Sequence, residues 1–252
     1  DRAQVEAFGN AIVGSAWYRS AGLEYGLNPG THLPLTLGHA PKSLTRDQLE
    51  AQIKQLLTGN IASKPAATDA QPLYMLYVPP AVTRGMDLAG HGYHDSIMVG
   101  NVRVPIVVVL DDGSGLATTT LTAARLLINA AANPYPRPMD GYYVDPQTTD
   151  PWSLVFGELT DLCDGEDPIV EDGFTLPKVY SNRAAAAGKS PCRPFVPDDT
   201  WSDVSAEPSK ITMIPKGGSV TYRLTGWSTR ELPDWKLRTR VADLSQLTED
   251  EM

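Results

Sequence analysis

Val104-Pro105-Ile106-Val107-Val108-Val109-Leu110, then Asp111-Asp112-Gly113-Ser114-Gly115, then the Ala- and Leu-rich residues 118–132, decide how this chain folds. The apolar run is short and closed by turn residues, so it reads as a strand. The polar loop leads into a helix over 118–132, which ends at Asn133-Pro134 because the residue before a proline is pushed out of the helical region. Working outward, Ile97-Met98-Val99 reads as a second strand joined to the first by a Gly100-Asn101 turn. Leu73 to Val78, closed by Pro79-Pro80, reads as a buried strand. A helix begins after Thr45, with Gln48 completing a capping box, carries Leu49, Ile53, Leu56 and Leu57 as its apolar stripe, and stops at Gly59-Asn60. Residues 4–18 read as one amphipathic helix, with Val5, Phe8, Ile12 and Val13 at helical spacing.

Beyond the central helix the pattern changes. Residues 133–208 are dominated by Pro, Gly, Asp and aromatic residues with little periodicity, and so long an irregular stretch needs a staple, a metal or a docking surface. Ile211-Thr212-Met213-Ile214 and Ser219 to Leu224, separated by Lys216-Gly217-Gly218, read as a β-hairpin. Residues 244–252 form an acidic tail expected to fray.

The chain has 252 residues, 42% of them hydrophobic, enough for a substantial core. Its formal net charge of −9 argues against nucleic acid and anionic membrane surfaces as partners, since both select a basic face. No apolar run approaches the roughly 20 residues of a membrane helix. The first residue, Asp1, suggests a cleaved or trimmed N-terminus. Two cysteines, Cys163 and Cys192, are compatible on composition alone with either free thiols or a disulfide.

The chemistry-bearing residues outside the central helix read mostly as structural. His32, His39, His91 and His94 form no strong ligand spacing, and hydrogen bonding is the expectation for His94. Gly113-Ser114-Gly115 is a turn, lacking the residues of a nucleophile elbow. The aromatics Tyr135, Tyr142, Tyr143, Trp152, Phe156, Phe174 and Tyr180 are expected mainly as core, with sugar stacking as the alternative.

The stretch Thr122-Ala123-Ala124-Arg125-Leu126-Leu127-Ile128-Asn129-Ala130-Ala131-Ala132-Asn133-Pro134 resembles a helix motif, approximately T-A-S-H-E-L-x-E-A-x-T-D-P. That motif belongs to an exported, zincin-like bacterial family, well represented in myxobacteria and related to plant EXORDIUM-type (phosphate-induced) proteins. Downstream, Gly141 to Asp145, Trp152, Gly157 to Cys163, Tyr180-Ser181-Asn182 and Ala184 to Cys192 resemble further elements of that family. Gly92-Tyr93-His94-Asp95 and Tyr25-Gly26 do so upstream. The resemblance spans most of residues 5–200 and is most specific over 118–197. With both cysteines inside family elements and flanking Pro/Asp-rich chain, a Cys163–Cys192 disulfide is expected.

The departures from the motif bear on function. Zinc needs imidazole, thiolate or carboxylate donors converging on one point. The position of the family histidine is Arg125 and that of the glutamate after it Leu126; Asn129 and Asn133 replace a further glutamate and an aspartate. A guanidinium stays protonated and cannot ligate a cation. The resemblance therefore implies a degenerate site with no catalytic residue and no cofactor. Glu158, Asp161, Asp145 and Asp150 remain weak metal candidates that could hold a structural calcium. Arg125 is expected to pair with Glu158 or Asp161.

The expected fold is α+β: a zincin-like mixed sheet with helices, an irregular disulfide-stapled subdomain, and a short β appendage. The boundaries fall at 1–132, 133–204 and 205–252. The expected function is non-catalytic, a pseudoenzyme located extracellularly or on the cell surface, where it binds an extracellular protein or polysaccharide or serves structurally. A metal-dependent hydrolase with a rebuilt site involving Glu158, Asp161, His91 or His94, and a self-assembling surface or filament subunit, are the alternatives.

Overall fold

The computed structural model describes residues 2–35, 45–59, 72–83, 91–136, 141–144, 157–187, 189–194, 202–207 and 218–228; the side chains of 143–144, 202–207 and 225–228 lie outside the description. The chain divides into two compact units, 1–196 and 197–252.

The first unit is built on three strands. Strand β1 (Tyr74–Val78) runs parallel to β3 (Val102–Leu110), and β2 (Gly92–Val99) pairs antiparallel on the other side of β3. The β2–β3 turn falls at Gly100-Asn101, where Gly100 takes φ +61°. From Val104 to Leu110, β3 is continuous hydrocarbon because, as the central strand, it is buried there on both faces. Val107 and Val109 enter one core while Val104, Ile106, Val108 and Leu110 enter another.

Helix α3 (Arg46–Thr58) covers the second face with Leu49, Ile53 and Leu57, and its Thr45/Gln48 capping box forms as expected. The first face is covered by α1 (Arg2–Ile12), α2 (Ala16–Gly22) and α5 (Leu116–Ala132), while α4 (Pro80–Thr83) is a single turn after β1. The helix expected over 4–18 is thus two. Gly14 and Ser15 break it, and the Ser15 hydroxyl caps α2 by accepting from Tyr18 N at 2.9 Å. Burying both faces of a three-stranded sheet yields the expected mixed α+β arrangement.

Residues after α5 form short pairs rather than a sheet: β4 (Tyr143–Val144) with β5 (Gly157–Glu158), β6 (Ile169–Glu171) with β7 (Phe174–Leu176), and β8 (Val179–Tyr180) with β9 (Cys192–Arg193). Helix α6 (Asn182–Ala186) lies between β8 and β9, and the Cys163–Cys192 disulfide closes the segment.

Among the described residues this stapled segment shares its core with the rest of the unit: Leu159, Leu176 and Val179 join Phe8, Trp17 and Ile128 in the first cluster. Long-range bonds tie it to the N-terminal helices. Trp17 Nε1 donates to Pro177 O at 2.6 Å, and Glu171 accepts from Ala16 N and Trp17 N at 2.7 and 3.0 Å. Tyr25 Oη donates to Tyr180 O at 2.6 Å, and Glu24 accepts from Ser181 Oγ and Arg183 N at 2.5 and 2.8 Å. The residues on either side of 132/133 thus share one core, within the unit 1–196.

In the second unit, β10 (Ser202–Glu207) pairs antiparallel with β11 (Arg223–Ser228). The expected hairpin is corrected accordingly. Its second strand starts at Arg223 rather than Ser219, its partner is 202–207, and residues 211–214 lie outside the described residues.

Candidate functional site

Helix α5 places Ala123, Ala124, Ile128 and Ala130 in the first core. Small side chains on that face let the helix settle close to β3. Arg125, Asn129 and Asn133 recur every fourth residue and so form one stripe along the helix, facing the chain at 157–164.

Each member of the stripe has a designated partner there. Arg125 Nη2 and Nε donate to Asp161 Oδ1 at 2.6 and 3.2 Å, and Nη1 reaches Asp164 Oδ1 at 3.3 Å. Burial works against the guanidinium charge, but the hydrogen bond and charge of Asp161, with Asp164, outweigh it and hold the Arg125 pKa above its usual value. Asn129, buried, accepts at Oδ1 from both the backbone N and the hydroxyl of Thr160, at 3.2 and 3.1 Å. Asn133, also buried, donates from Nδ2 to Glu158 Oε1 at 2.7 Å.

The receiving segment is shaped to meet them. Asp161 opens a 3-10 turn ending at Cys163, and its Oδ2 accepts from Glu158 N at 2.8 Å. Gly157 adopts φ +158°, and a Cβ there would lie 2.6 Å from Asp161 Cβ, so only glycine lets the aspartate approach. From β2, His94 points to the same side and its Nε2 lies 2.5 Å from Glu158 Oε2. Their side chains are 8% and 17% exposed. The Glu158 carboxylate thus links β2, β5 and the end of α5. Within this cluster, the buried atoms His94 Nδ1 and Asn133 Oδ1 have no hydrogen-bond partner among the described residues. Leu126 packs over Gly92: a Cβ on that glycine would meet Leu126 Cδ1 at 2.8 Å and Val108 O at 2.3 Å.

Of the residues singled out from sequence, Arg125, Asn129, Asn133, Glu158 and Asp161 come together, and Leu126 lies beside them. Arg125 takes Asp161 as its partner, while Glu158 serves His94 and Asn133. His91 sits apart, 3.2 Å from Asp112, and His32 Nδ1 contacts Asn10 at 2.9 Å. Gly113-Ser114-Gly115 forms a turn in which Asp111 and Asp112 accept from Gly113 N and Ser114 N. Among the aromatics, Phe174 packs edge-on against Phe8, Tyr142 packs on Tyr25 but remains half exposed, and Arg103 lies over Tyr135. Asp145, Asp150, His39, Trp152 and Phe156 lie outside the described residues.

Sequence reasoning missed Thr160, Asp164, Glu166 and Lys178. Lys178 is 1% exposed at its side chain and reaches Glu166 at 3.2 Å. A lysine between Pro177 and Val179 carries no sequence signal for such burial.

The donor set on α5 does not suit a divalent cation. It offers a cation held by Asp161, a hydrocarbon packed on Gly92, a carbonyl oxygen tied to Thr160, and an amide donating to Glu158. Among the described residues, no group of three or more His, Cys, Asp or Glu is placed to hold a metal ion. Comparison of the chain with protein-family models, with curated proteins and with solved structures gives no match. Among the described residues no helix is long and apolar enough to cross a membrane. The Cys163–Cys192 disulfide is compatible with an extracellular location.

Proposed function

We propose that this chain is a non-catalytic, exported binding or structural protein on a metallopeptidase-like scaffold, with ligand positions of the zincin-like family converted into internal ties. The observation that carries the reading is the Arg125–Asp161 ion pair, at 2.6 Å, at the position of the family histidine. A permanent cation there repels a divalent metal and takes up the nearest carboxylate. Asn129 supports the same reading, because its oxygen is spent on Thr160. The tie fastens α5 to the disulfide-closed segment.

Elemental analysis of protein purified without chelator, run beside a peptide-hydrolysis assay, tests this. The expected result is no stoichiometric zinc and no hydrolysis beyond the blank. Zinc at one per chain, with activity lost on mutating α5, overturns it.

A second reading, a rebuilt hydrolytic site, is favoured by the His94–Glu158 contact, since a carboxylate that orients an imidazole is the usual support of a general base. The burial of both side chains opposes it. Metal-independent hydrolysis abolished by His94→Gln would establish that reading.

A further inference from the structure

A cavity of about 70 Å3 lies between α5 and the turn that follows Cys163. Two cations line it, Arg125 from α5 and the buried Lys178, and much of the remaining wall is the hydrocarbon of Leu121, Pro168 and Pro177. Each cation also meets an acid of the turn: Asp164 Oδ1 lies 3.3 Å from Arg125 Nη1, and Glu166 Oε2 lies 3.2 Å from Lys178 Nζ. Both separations exceed the roughly 2.7–2.9 Å of a strong charge-assisted hydrogen bond. Asp164 is 69% exposed and Glu166 39%, so either carboxylate can exchange its contact for water. Asp161, by contrast, holds Arg125 at 2.6 Å and stays in place.

We propose that this cavity is a carboxylate-binding subsite, with Asp164 and Glu166 as internal stand-ins that an incoming carboxylate displaces. The ligand carboxylate takes Arg125 Nη1 and Lys178 Nζ, and a short apolar group behind it rests on Leu121, Pro168 and Pro177. As the ligand carboxylate enters, it takes over the contacts of Asp164 and Glu166, and these turn acids move into water. The inference rests on the reading of the chain as a non-catalytic binding protein and gives that protein a ligand chemistry. The carboxylate can belong to a free small acid or to the C-terminus of a peptide.

Titration of the full chain, followed by NMR, with propionate, with the tripeptide Gly-Ala-Leu and with its C-terminal amide, tests the subsite. Propionate and the free-acid peptide are expected to bind, the tighter of the two identifying the source, with the amide at least about tenfold weaker. The D164N/E166Q double variant removes two exposed competitors and is expected to bind the acids about tenfold more tightly than the wild type. Arg125→Gln is expected to abolish the response. Equal binding of acid and amide, or no carboxylate-dependent shift in either the wild type or D164N/E166Q, overturns the proposal. Either negative result leaves the metal and hydrolysis measurements untouched, so the subsite can fail while the non-catalytic reading stands.

Discussion

Replacing both Cys163 and Cys192 by alanine removes a cross-link between residues 29 apart in sequence. For a closed loop of about 30 residues, chain-entropy reasoning gives roughly −12 cal/mol/K in the unfolded ensemble, about 3.6 kcal/mol at 25 °C. The native state has reason to survive the change. Leu176 and Val179 are buried in the core shared with Phe8 and Trp17, and Trp17, Tyr25 and Glu171 bond across the loop. The cost therefore falls chiefly on the unfolded chain, which gains freedom. Urea unfolding followed by tryptophan fluorescence, to which the fully buried Trp17 contributes, should show a loss of about 3–4 kcal/mol. The m-value should also rise, because an uncross-linked unfolded chain exposes more surface. A loss under about 1 kcal/mol with an unchanged m-value would refute the reasoning, since the unfolded loop would then be as constrained without the bridge as with it.

Three further outcomes follow from the same contacts. Arg125→Ala should cost only about 1 kcal/mol, because the side chain is 37% exposed; a double-mutant cycle with Asp161→Ala should give a coupling of about 0.5–1 kcal/mol that shrinks in high salt. Gly92→Ala should cost about 3 kcal/mol or more by thermal melting, since φ is +149° and the new Cβ meets the carbonyl oxygen of Val108, a backbone atom that cannot move aside. Burial raises the Tyr25, Tyr77 and Tyr93 hydroxyl pKa values, that of Tyr93 to about 12 with the Glu50 carboxylate adding to the effect. Their stabilising contribution is complete below the unfolded tyrosine value of about 10 and is lost as pH rises through the folded values, so alkaline unfolding followed by circular dichroism should set in between about pH 10 and 12.

The central strand and the helix after it were legible because local pattern and tertiary role agree. A short hydrocarbon run suits a strand buried on both faces, and Asn133-Pro134 ends a helix in any context. The α3 capping box was legible for the same reason, since Thr45 and Gln48 are three residues apart. β2 was underread as Ile97–Val99, because Tyr93-His94-Asp95-Ser96 looks polar. The structure explains the polarity: Arg46 from α3 binds Asp95 at 2.5 Å and lies over the Tyr93 ring, while His94 faces Glu158 from the opposite side. Of the site, Arg125, Asn129, Asn133, Glu158 and Asp161 stood out in the sequence, and the structure brings them together. The ties that close it join residues far apart, such as Thr160 to Asn129 and His94 to Glu158, and no local spacing encodes them. The same holds for the bonds from Glu24, Glu171 and Trp17 that join the stapled segment to the helices.

The central claim is that the α5 stripe binds its own chain instead of a metal. Anomalous scattering at the zinc edge, from crystals grown with zinc chloride, examines this at the atoms concerned. The account predicts no anomalous peak between α5 and the 157–164 segment, with Arg125 still on Asp161 and Asn133 still on Glu158. A peak within about 2.3 Å of His94 or Glu158 nitrogen or oxygen atoms, accompanied by Arg125 turned away from Asp161, would contradict it.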